Sequence, residues 1–594
     1  MAYLKKITNR EGNIYYSLVE GYRKNGKVKQ RLIYNFGRLD KLLLNDSNAE
    51  ETVKRRAQEM IDTRLKSVIQ TTIDLNDKKD PVSSPKLIGQ HILESIYKQL
   101  GISTFLAEYD QDHQYNYALD DAMKLLVFGR ILAPQSKLAT VIDFQAKLWC
   151  SQQPSNSSSN SSSNSSSNSS SNSSSNSSSK SLTHNQIDRS LDHLDQIKDD
   201  LQLLIHQKIA STIGRDSFLV FYDVTNYYFE TDIDDDFRKR GASKEYRHDP
   251  IVQMGLFMDS NGIPIAYKLF RGNCVDVSTY LPAIDQVKQQ FGIKRIVVVA
   301  DKAMNSKDNV GRTSSNGDGW LFSQKFRGKT GSPKDIQDFI LDQNGWEYNH
   351  NLTFAKKSMI RARKVTDKDG KTTEVQEKVL VTWKESYAKR EKIRRDGAVG
   401  FANNLRDPEK YRQTMRKGGK KYLKMTLKDV KTGELVLAHP FLDIDQELVD
   451  FDAQFDGMNV ITTSETTMDD EHIMAAYKEL YRIEDCFRVT KTHLKTRPVF
   501  VWTKAHIEAH FLTCFIALVI LRLLQHKIQH QLSAGRIIDG LKSLTAKYAA
   551  REYYETNASE DGIALLEMLG VDWSDRYQSI EKIERLRRLH VVGQ

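Results

Sequence analysis

Two short apolar runs, each ended by an aspartate, constrain the fold of this chain more than any other feature. FLVFY precedes Asp223 and IVVVA precedes Asp301. A five-residue run of this kind, rich in β-branched and aromatic residues, is typical of a buried strand. Each carboxylate is then expected to emerge at the edge of a sheet. An aspartate at a strand end is more often a turn or cap residue, so the argument depends on the context that the two aspartates share.

The predicted elements after residue 215 follow an order that indicates a fold class. They are SFLVFYDVT, PIVQMGLFMD and PIAYKLF as strands, VSTYLPAIDQVKQQFG as a helix and RIVVVAD as a strand. Beyond an interruption at 303–455, the strand MNVITTS leads into a helix that carries Glu484. This β-β-β-α-β…β-α order is that of an RNase-H-like core. We therefore expect an α/β fold: an RNase-H-like mixed-sheet core with a β-rich insertion, helical flanking regions and a small N-terminal β region.

The helix around Glu484 carries three polar residues at seven-residue spacing. Tyr477, Glu484 and Lys491 are nearly two turns apart in succession, so a continuous helix would align them on one face. The apolar face of this helix is predicted to comprise Ile473, Ala476, Leu480, Ile483 and Phe487. One interpretation makes Glu484 and Lys491 solvated charges beside that face. The other makes Glu484 a metal ligand, with Arg488 and Lys491 as nearby cations for a phosphate.

Two carboxylates at strand ends and a third on a later helix suit a particular chemistry. Asp223, Asp301 and Glu484 could together hold two divalent metal ions for phosphoryl transfer. The net charge of +10 and the pI near 9.0 indicate an anionic partner. An ordinary basic surface would give the same charge. The best interpretation of these features together is a DNA-processing enzyme.

Basic residues concentrate in the interruption at 303–455. Three clusters lie at 356–364, 389–395 and 412–424, with aromatic residues between them. Those aromatic residues are Trp383, Tyr387, Tyr411 and Tyr422. A charge run is usually a solvated face, but basic clusters interleaved with aromatic residues favour contact with a DNA backbone.

The sequence disfavours zinc-binding, secreted, membrane-spanning and ATP-hydrolysing classes of protein. Cys150, Cys274, Cys486 and Cys514 are scattered without metal-ligand spacing, which argues against zinc and for a reduced intracellular protein. The N-terminal MAYLKKITNREGN has no apolar signal core. The longest apolar run, Phe511–Leu521, is about half a membrane span and indicates a buried core helix. No G-x-x-x-x-G-K-[ST] pattern supports ATP hydrolysis.

The chain is expected to divide into six regions, with a low-complexity tract in the second. The tract at 155–179 repeats NSSS, offers nothing to bury and is predicted to be disordered. The predicted regions are 1–45, a small β region; 46–215, a helical DNA-binding candidate; 216–302, the first part of the core; 303–455, the β-rich basic insertion; 456–505, the second part of the core; and 506–594, a helical region.

The residues around Glu484 resemble the signature Y-x2-R-x3-E-x6-K of a group of bacterial insertion-sequence DDE transposases. Tyr477, Glu484 and Lys491 match it in type and spacing, while Leu480 stands at the arginine position. Ala303 stands where the group usually has a glycine after its second aspartate. Further resemblance lies in DVTNYYFE, GASKEYRHD, YRKNGKVKQRLIYNFGRLD and KTHLKTRPVFVWTKAHIEAHFLTCFIALVI. It covers nearly the whole chain outside the serine tract.

The resemblance implies a transposase that cleaves DNA strands and transfers them at the ends of an insertion sequence. Asp223, Asp301 and Glu484 would hold two Mg²⁺ ions, with Mn²⁺ as a substitute, for in-line attack on a phosphodiester. The DNA-binding residues would be Tyr477, Arg488 and Lys491. The implied partners are double-stranded DNA with terminal inverted repeats and a second copy of the chain in a synaptic homodimer. The implied location is the bacterial cytoplasm, at the nucleoid and not in a membrane.

Three alternatives remain open at this point. The first is a catalytically decayed DNA-binding protein derived from such an element, for which the serine-rich tract, Leu480 and Ala303 would be the marks. The second is a scaffold protein with no metal binding or cleavage. The third is a different metal nuclease on the same fold, without end-specific binding. The intact set of three carboxylates favours the transposase.

Overall fold

The computed structural model describes most of the chain in thirteen stretches. They are 2–9, 12–24, 27–43, 48–66, 84–113, 115–149, 181–215, 219–328, 332–366, 370–407, 410, 443–550 and 552–593. The serine tract, Cys150 and the basic cluster at 412–424 lie outside the described residues, as do Tyr411 and Tyr422.

The strands are β1 (Ala2–Thr8), β2 (Ile14–Lys24), β3 (Lys27–Arg38), β4 (Lys86–Leu87), β5 (Leu219–Tyr228), β6 (Ile251–Met258), β7 (Pro264–Arg271), β8 (Val297–Ala300), β9 (Gly319–Ser323), β10 (Glu347–Tyr348), β11 (Phe354–Thr366), β12 (Thr372–Lys384), β13 (Met458–Thr463), β14 (Thr545–Ala550), β15 (Tyr553–Asn557) and β16 (Tyr577–Ser579). They form sheets with the orders β1-β2-β3, β10-β11-β12-β13-β9-β8-β5-β6-β7 and β16-β15-β14-β4.

The helices are α1 (Leu39–Leu43), α2 (Ala49–Lys66), α3 (Gln90–Gln99), α4 (Ile102–His113), α5 (Leu119–Leu132), α6 (Lys137–Ala139), α7 (His184–Gln196), α8 (Lys198–Ile213), α9 (Asp276–Phe291), α10 (Lys307–Ser315), α11 (Lys334–Leu341), α12 (Glu385–Leu405), α13 (Gln446–Ala453), α14 (Asp470–Lys478), α15 (Tyr481–Thr492), α16 (Lys504–Lys527), α17 (Ala534–Ser543), α18 (Glu560–Met568) and α19 (Ile580–Arg585). The chain is therefore a mixed α/β protein.

The chain divides into two compact units. The first comprises Met1–Ser84 and Tyr548–Tyr554, and the second comprises Pro85–Lys547 and Glu555–Gln594. In the first unit, β2 and β3 pair antiparallel as a hairpin within the predicted small β region. Its core contains Tyr16, Leu39, Ala49 and Val53, so the amphipathic helix α2 completes this small β region.

The large sheet of the second unit is mixed. β5, β6 and β7 are antiparallel neighbours, whereas β5, β8 and β9 run parallel to one another. Beyond β9, the strands β13, β12, β11 and β10 continue the same sheet in antiparallel pairs. β9 lies within the predicted interruption at 303–455, yet it is a central strand of the sheet and runs parallel to β8. The hairpin of β11 and β12 extends the main sheet.

Helices cover the sheet and hold its strands in place. α9 and α10 contribute Tyr280, Ile284 and Val310 to a core that also takes Val298 from β8 and Phe322 from β9. This burial on the sheet explains why the β5 and β8 runs are apolar without alternation.

α16 is the predicted core helix. Among the described residues, Lys504–Lys527 is the single unbroken helix that is long and apolar enough to cross a membrane, and its whole apolar window is buried inside the protein. Such burial is typical of a core helix, as the length of the apolar run indicated. The C-terminal region, expected to be helical, also contributes β14, β15 and β16, with β14 pairing antiparallel to β4.

Candidate active site

The two aspartates that follow the apolar runs lie at the same level of adjacent parallel strands. β5 and β8 pair in a register that joins Leu219 to Val297 and Phe221 to Val299, an offset of 78 residues. Asp223 and Asp301 are separated by the same offset and lie two residues beyond the last of these pairs. Because neighbouring strands lie about 4.8 Å apart, the register places the two aspartates side by side. Asp301 follows the last residue of β8, as expected. The expectation that Asp223 emerges at a strand end is wrong, because β5 continues to Tyr228 and stays paired with β6.

Asp223 lies in an electronegative, half-buried environment. Burial is the largest cause that raises the pKa of its carboxyl to about 6, and the negative charges of Asp301 and Glu484 contribute to the rise. Lys244 and the backbone N–H of Val224 oppose it. Three carboxylates that repel one another in this way favour a cation between them.

The helix that carries Glu484 differs from the expectation. The predicted continuous helix is interrupted, because Tyr477 belongs to α14 whereas Glu484 and Lys491 belong to α15. At the junction the backbone N–H groups of Leu480 and Arg482 donate to carbonyls three residues earlier. Tight bonding of this kind turns the chain by about 120° per residue instead of 100°, so the seven-residue spacing does not by itself set the positions of the three side chains.

Glu484 lies in the first turn of α15, where the helix dipole favours a negative charge. Its side chain is exposed, while Ile483, Cys486 and Phe487 beside it are buried and anchor the helix to the core. The carboxylate is therefore held on a fixed helix at the rim of a buried face.

Tyr477 reaches the same site from α14. Burial raises the pKa of its phenol, and the charges of Asp301 and Glu484 raise it further, while a contact with the Ser323 hydroxyl lowers it. The phenol is therefore close to two of the three carboxylates despite the break in the helix.

Lys491 joins α15 to the strand that bears Asp223. Its Nζ donates a hydrogen bond of 2.7 Å to Thr225 Oγ1, lies 3.5 Å from Glu245 Oε1 and stands 5.4 Å from the centre of the Tyr227 ring. Burial, and then the charge of Lys244, lower the pKa of Lys491 to about 8, although Asp223 opposes the change. The ammonium group thus lies beside the carboxylates in a partly desolvated position.

Arg488 is held by other partners. Its guanidinium pairs with Asp485, which also accepts a hydrogen bond of 2.8 Å from Arg522 Nη2. The side chain of Arg488 itself remains largely exposed. The structure therefore brings Asp223, Asp301, Glu484, Tyr477 and Lys491 together, and places Arg488 in a neighbouring ion-pair network on α15.

Lys244 and Glu245 belong to the site but were not singled out from the sequence. Lys244 Nζ donates a hydrogen bond of 2.6 Å to the carbonyl of Val224, next to Asp223. Glu245 accepts from Lys491 at 3.5 Å and pairs with Arg497. Both residues belong to the segment GASKEYRHD, whose resemblance to the transposase group was the available signal.

The three carboxylates suit a divalent metal ion by their chemistry. Carboxylate oxygens are the ligands that Mg²⁺ and Mn²⁺ prefer, and the mutual repulsion at Asp223 is the electrostatic condition that a cation relieves. As the side chains stand, no group of three or more His, Cys, Asp or Glu residues in the described part of the chain is arranged to hold a metal ion.

The basic cluster at 356–364 mainly serves the fold. Lys357 is 3% exposed and donates to the carbonyl of Asp342 at 2.6 Å. Arg361 and Arg363 both pair with Glu377, which is fully buried. The expectation that this cluster contacts a DNA backbone is therefore wrong for these three side chains. The cluster at 389–395 lies on α12, a helix with no buried residue in its described range.

Two known families match the chain. Residues 4–68 match the family described as IS1634 family transposase, N-terminal domain, and residues 220–520 match the transposase DDE domain. The second match covers just over half of the 594 residues and contains Asp223, Asp301 and Glu484. No curated protein sequence matches the chain. Among solved structures, the piggyBac transposase synaptic complex with hairpin DNA is similar at 8% identity and a TM-score of 0.33, over 87% of this chain and 86% of that one.

Proposed function

This chain belongs to the family with a transposase DDE domain, and from that premise we propose that Asp223, Asp301 and Glu484 are its catalytic carboxylates. It is an insertion-sequence DDE transposase, an enzyme that cleaves DNA with the help of divalent metal ions. The family matches favour this function over the scaffold and the decayed DNA-binding protein. The observation that carries the residue assignment is the shared offset of 78 residues between the β5–β8 register and the two aspartates.

The core is proposed to be RNase-H-like. The sheet order β7-β6-β5-β8-β9, with β5, β8 and β9 parallel, supports this proposal. In this arrangement β9 is the fifth strand of the core, and β13 is an antiparallel addition that leads into α14 and α15. Asp223 and Asp301 then emerge from neighbouring central strands, and Glu484 approaches them from the helix that follows the insertion.

The three carboxylates are proposed to hold two Mg²⁺ ions, or Mn²⁺ in their place. When bound, this pair of ions supplies an activated water or 3′-hydroxyl and charge for the leaving oxygen. Asp223 is suited to be the shared ligand, because the negative charges of both other carboxylates act on its carboxyl. Metal binding there would remove the repulsion that the free carboxylates experience.

The cations beside the carboxylates are proposed to hold the substrate. Lys491 lies close to Asp223 and can contact a phosphate while it keeps its hydrogen bond to Thr225. Tyr477 can donate its phenolic hydrogen to a second phosphate oxygen, and exposed Arg488 extends the basic face along α15. The proposed substrate is double-stranded DNA with terminal inverted repeats, cut and joined within a synaptic homodimer. The proposed place of action is the bacterial nucleoid in the cytoplasm.

Glu484→Gln tests the assignment. This change removes one negative charge and keeps the size of the side chain, so the fold and the binding of end DNA should survive. Cleavage of a plasmid that carries the element's ends should fall by orders of magnitude with Mg²⁺, since a transition state stabilised by positioned charge loses that stabilisation. Glu567→Gln, an exposed glutamate on α18, is the matched control. Cleavage by Glu484→Gln at the wild-type rate would make Glu484 a solvated helix charge.

A further inference from the structure

A basic groove lies beside the proposed active site. It has a volume of about 670 Å³ and is bordered by the segment between α15 and α16. Its basic residues are Arg130, Lys137, Lys495, Arg497, His506 and His510. Burial lowers the pKa of His510 well below its usual value, so this imidazole is neutral. Asp188 is the one acid among the described lining residues, and it pairs with His184 at 3.2 Å. Arg497 pairs with Glu245 and His506 with Asp192, so the cations of the groove that the described acids leave unpaired are Arg130, Lys137 and Lys495.

Polar groups in this groove lack partners. Arg130 Nε and Gln135 Nε2 are buried and make no hydrogen bond within the described structure. Lys137 Nζ lies 3.5 Å from Nδ1 of buried His510. Burial, and then the charge of the neighbouring Arg130, lower the pKa of Lys137 to about 7. Buried donors and crowded cations are costly unless an anion satisfies them, so the groove is suited to a phosphate group.

Two aromatic side chains stand exposed on the same border. Phe500 is 59% exposed and Trp502 is 53% exposed. Val499, which precedes them, and Val501, which lies between them, are both buried. Alternation of this kind is typical of extended backbone, in which residues two apart lie about 7 Å from each other on one side. This spacing admits a flat ring between the two aromatic side chains.

Trp502 is also held in place from one side. The guanidinium of Arg238 lies 5.2 Å from the centre of its ring, and Arg238 is itself fixed by a bond of 2.7 Å from Nε to Asp235 Oδ2. A rigid indole with one supported face and an exposed remainder provides a stacking platform at low entropic cost.

Glu245 connects the groove to the proposed active site. It pairs with Lys491, beside the carboxylates, and with Arg497, which lines the groove. Arg497 also lies 5.6 Å from the ring of Tyr228, on the same strand as Asp223. A strand of DNA bound at Lys491 can therefore pass directly to the groove.

We propose that this groove binds an unpaired stretch of DNA strand next to the cleavage site, with its phosphates on Arg130 and Lys137 and a base stacked on Trp502 and Phe500. The inference rests on the proposed function, since it places this strand beside the three carboxylates. Exposed aromatic rings favour an unpaired strand over a duplex, because the faces of paired bases are already covered by stacking. The cations favour a nucleic acid over an apolar peptide.

The test compares two DNA probes in EDTA, so that binding is measured without cleavage. One probe is a blunt duplex, and the other is the same duplex with an oligo-dT extension. By fluorescence anisotropy, the wild-type protein should bind the extended probe about tenfold tighter, as one stacked base allows. Trp502→Ala should lose most of this preference, and Trp502→Phe should keep much of it. Tyr577→Ala, which removes an exposed aromatic ring next to Arg576, should leave the preference unchanged.

Equal affinity of the wild-type protein for both probes would overturn the proposal, as would an unchanged preference in a folded Trp502→Ala protein. Circular dichroism and the melting temperature establish that each variant is folded. Asp223→Asn separates this inference from the proposed function. It should abolish cleavage of end DNA and keep the preference for the extended probe. Cleavage by Asp223→Asn with the preference retained would contradict the catalytic assignment alone.

Discussion

Lys491 donates a hydrogen bond of 2.7 Å to Thr225 Oγ1, and this bond ties the helix that carries Glu484 to the strand that carries Asp223. The two residues are far apart in sequence and meet only because α15 packs on β5. The bond holds the ammonium group beside the part of β5 that carries Asp223. The same lysine is partly desolvated, which makes its charge sensitive to pH near neutrality.

DNA binding should weaken with rising pH because of Lys491. Burial and Lys244 lower its pKa to about 8, so the free protein loses one phosphate-binding charge as the pH rises past that value. The dissociation constant for end DNA should then increase about fivefold, equivalent to about 1 kcal/mol. Lys491→Arg keeps its charge and should show a flatter pH profile. Lys208→Arg, at an exposed position on α8, serves as the control, and identical profiles for the wild type and Lys491→Arg would contradict the prediction.

Asp223 should destabilise the metal-free protein at neutral pH. Burial, together with Asp301 and Glu484, raises its pKa from 3.8 to about 6. The folded state binds the proton of the Asp223 carboxyl more tightly than the unfolded chain does. The stabilisation that this proton gives to the folded state is therefore complete below pH 3.8 and is lost as the pH rises to about 6. Asp223→Asn should therefore raise the free energy of unfolding at neutral pH by about 1–3 kcal/mol in EDTA.

Denaturant unfolding at acidic and neutral pH measures this effect of Asp223. Mg²⁺ should stabilise the wild type and have little effect on Asp223→Asn, since a ligand that binds only the folded state stabilises it. Asp236→Asn, at an exposed loop position, should behave as the wild type in both solutions. Equal stabilisation of wild type and Asp223→Asn by Mg²⁺ would exclude Asp223 as a ligand.

Arg361 should matter for stability and not for DNA binding. Its guanidinium donates to Glu377 Oε1 at 2.9 and 2.6 Å, and Glu377 is fully buried. Arg361→Ala should lower the free energy of unfolding by about 2–3 kcal/mol, because it weakens the pairing of a buried charge. The salt dependence of DNA binding should be unchanged. Lys364→Ala, at an exposed position on the same strand, is the control; a reduced salt slope for Arg361→Ala alone would restore a role in phosphate contact.

Deleting the serine tract should leave cleavage largely intact. Residues 155–179 contain only serine and asparagine, so they supply no carboxylate to a metal site and no apolar side chain to a core. The deletion variant should cut end DNA at close to the wild-type rate and melt at a similar temperature. Loss of either property would give the tract a function that its composition does not indicate.

Local patterns were sufficient to predict the elements of the site. The apolar runs before Asp223 and Asp301 form β5 and β8, and the long apolar run near the C-terminus forms the core of α16. These elements can be predicted from the sequence because burial on both sides of a strand, or all around a helix, requires consecutive residues to be apolar. The resemblance of the segments around Glu484 likewise indicated the family, which the transposase DDE domain match confirms.

Periodicity could not predict how helices break or which charges pair. The spacing of Tyr477, Glu484 and Lys491 assumes one helix, yet three-residue hydrogen bonding at the junction divides it into α14 and α15. Arg361 and Arg363 form part of a basic cluster in the sequence but face Glu377 across the β11–β12 pair. Whether a basic side chain is paired depends on the residues of the neighbouring strand, and a local sequence pattern does not identify that strand.

The sequence by itself determined which residues could be ligands, and the tertiary structure decided which of them meet. Asp223 and Asp301 lie side by side because the parallel register of β5 and β8 has the same offset as their positions in the chain. Lys244 joins them through the segment before β6, and its hydrogen bond to the carbonyl of Val224 has no counterpart in any periodic pattern. The physical reason is that strand register and side-chain pairing are set by packing between distant segments, whereas composition and spacing record only the burial of each segment.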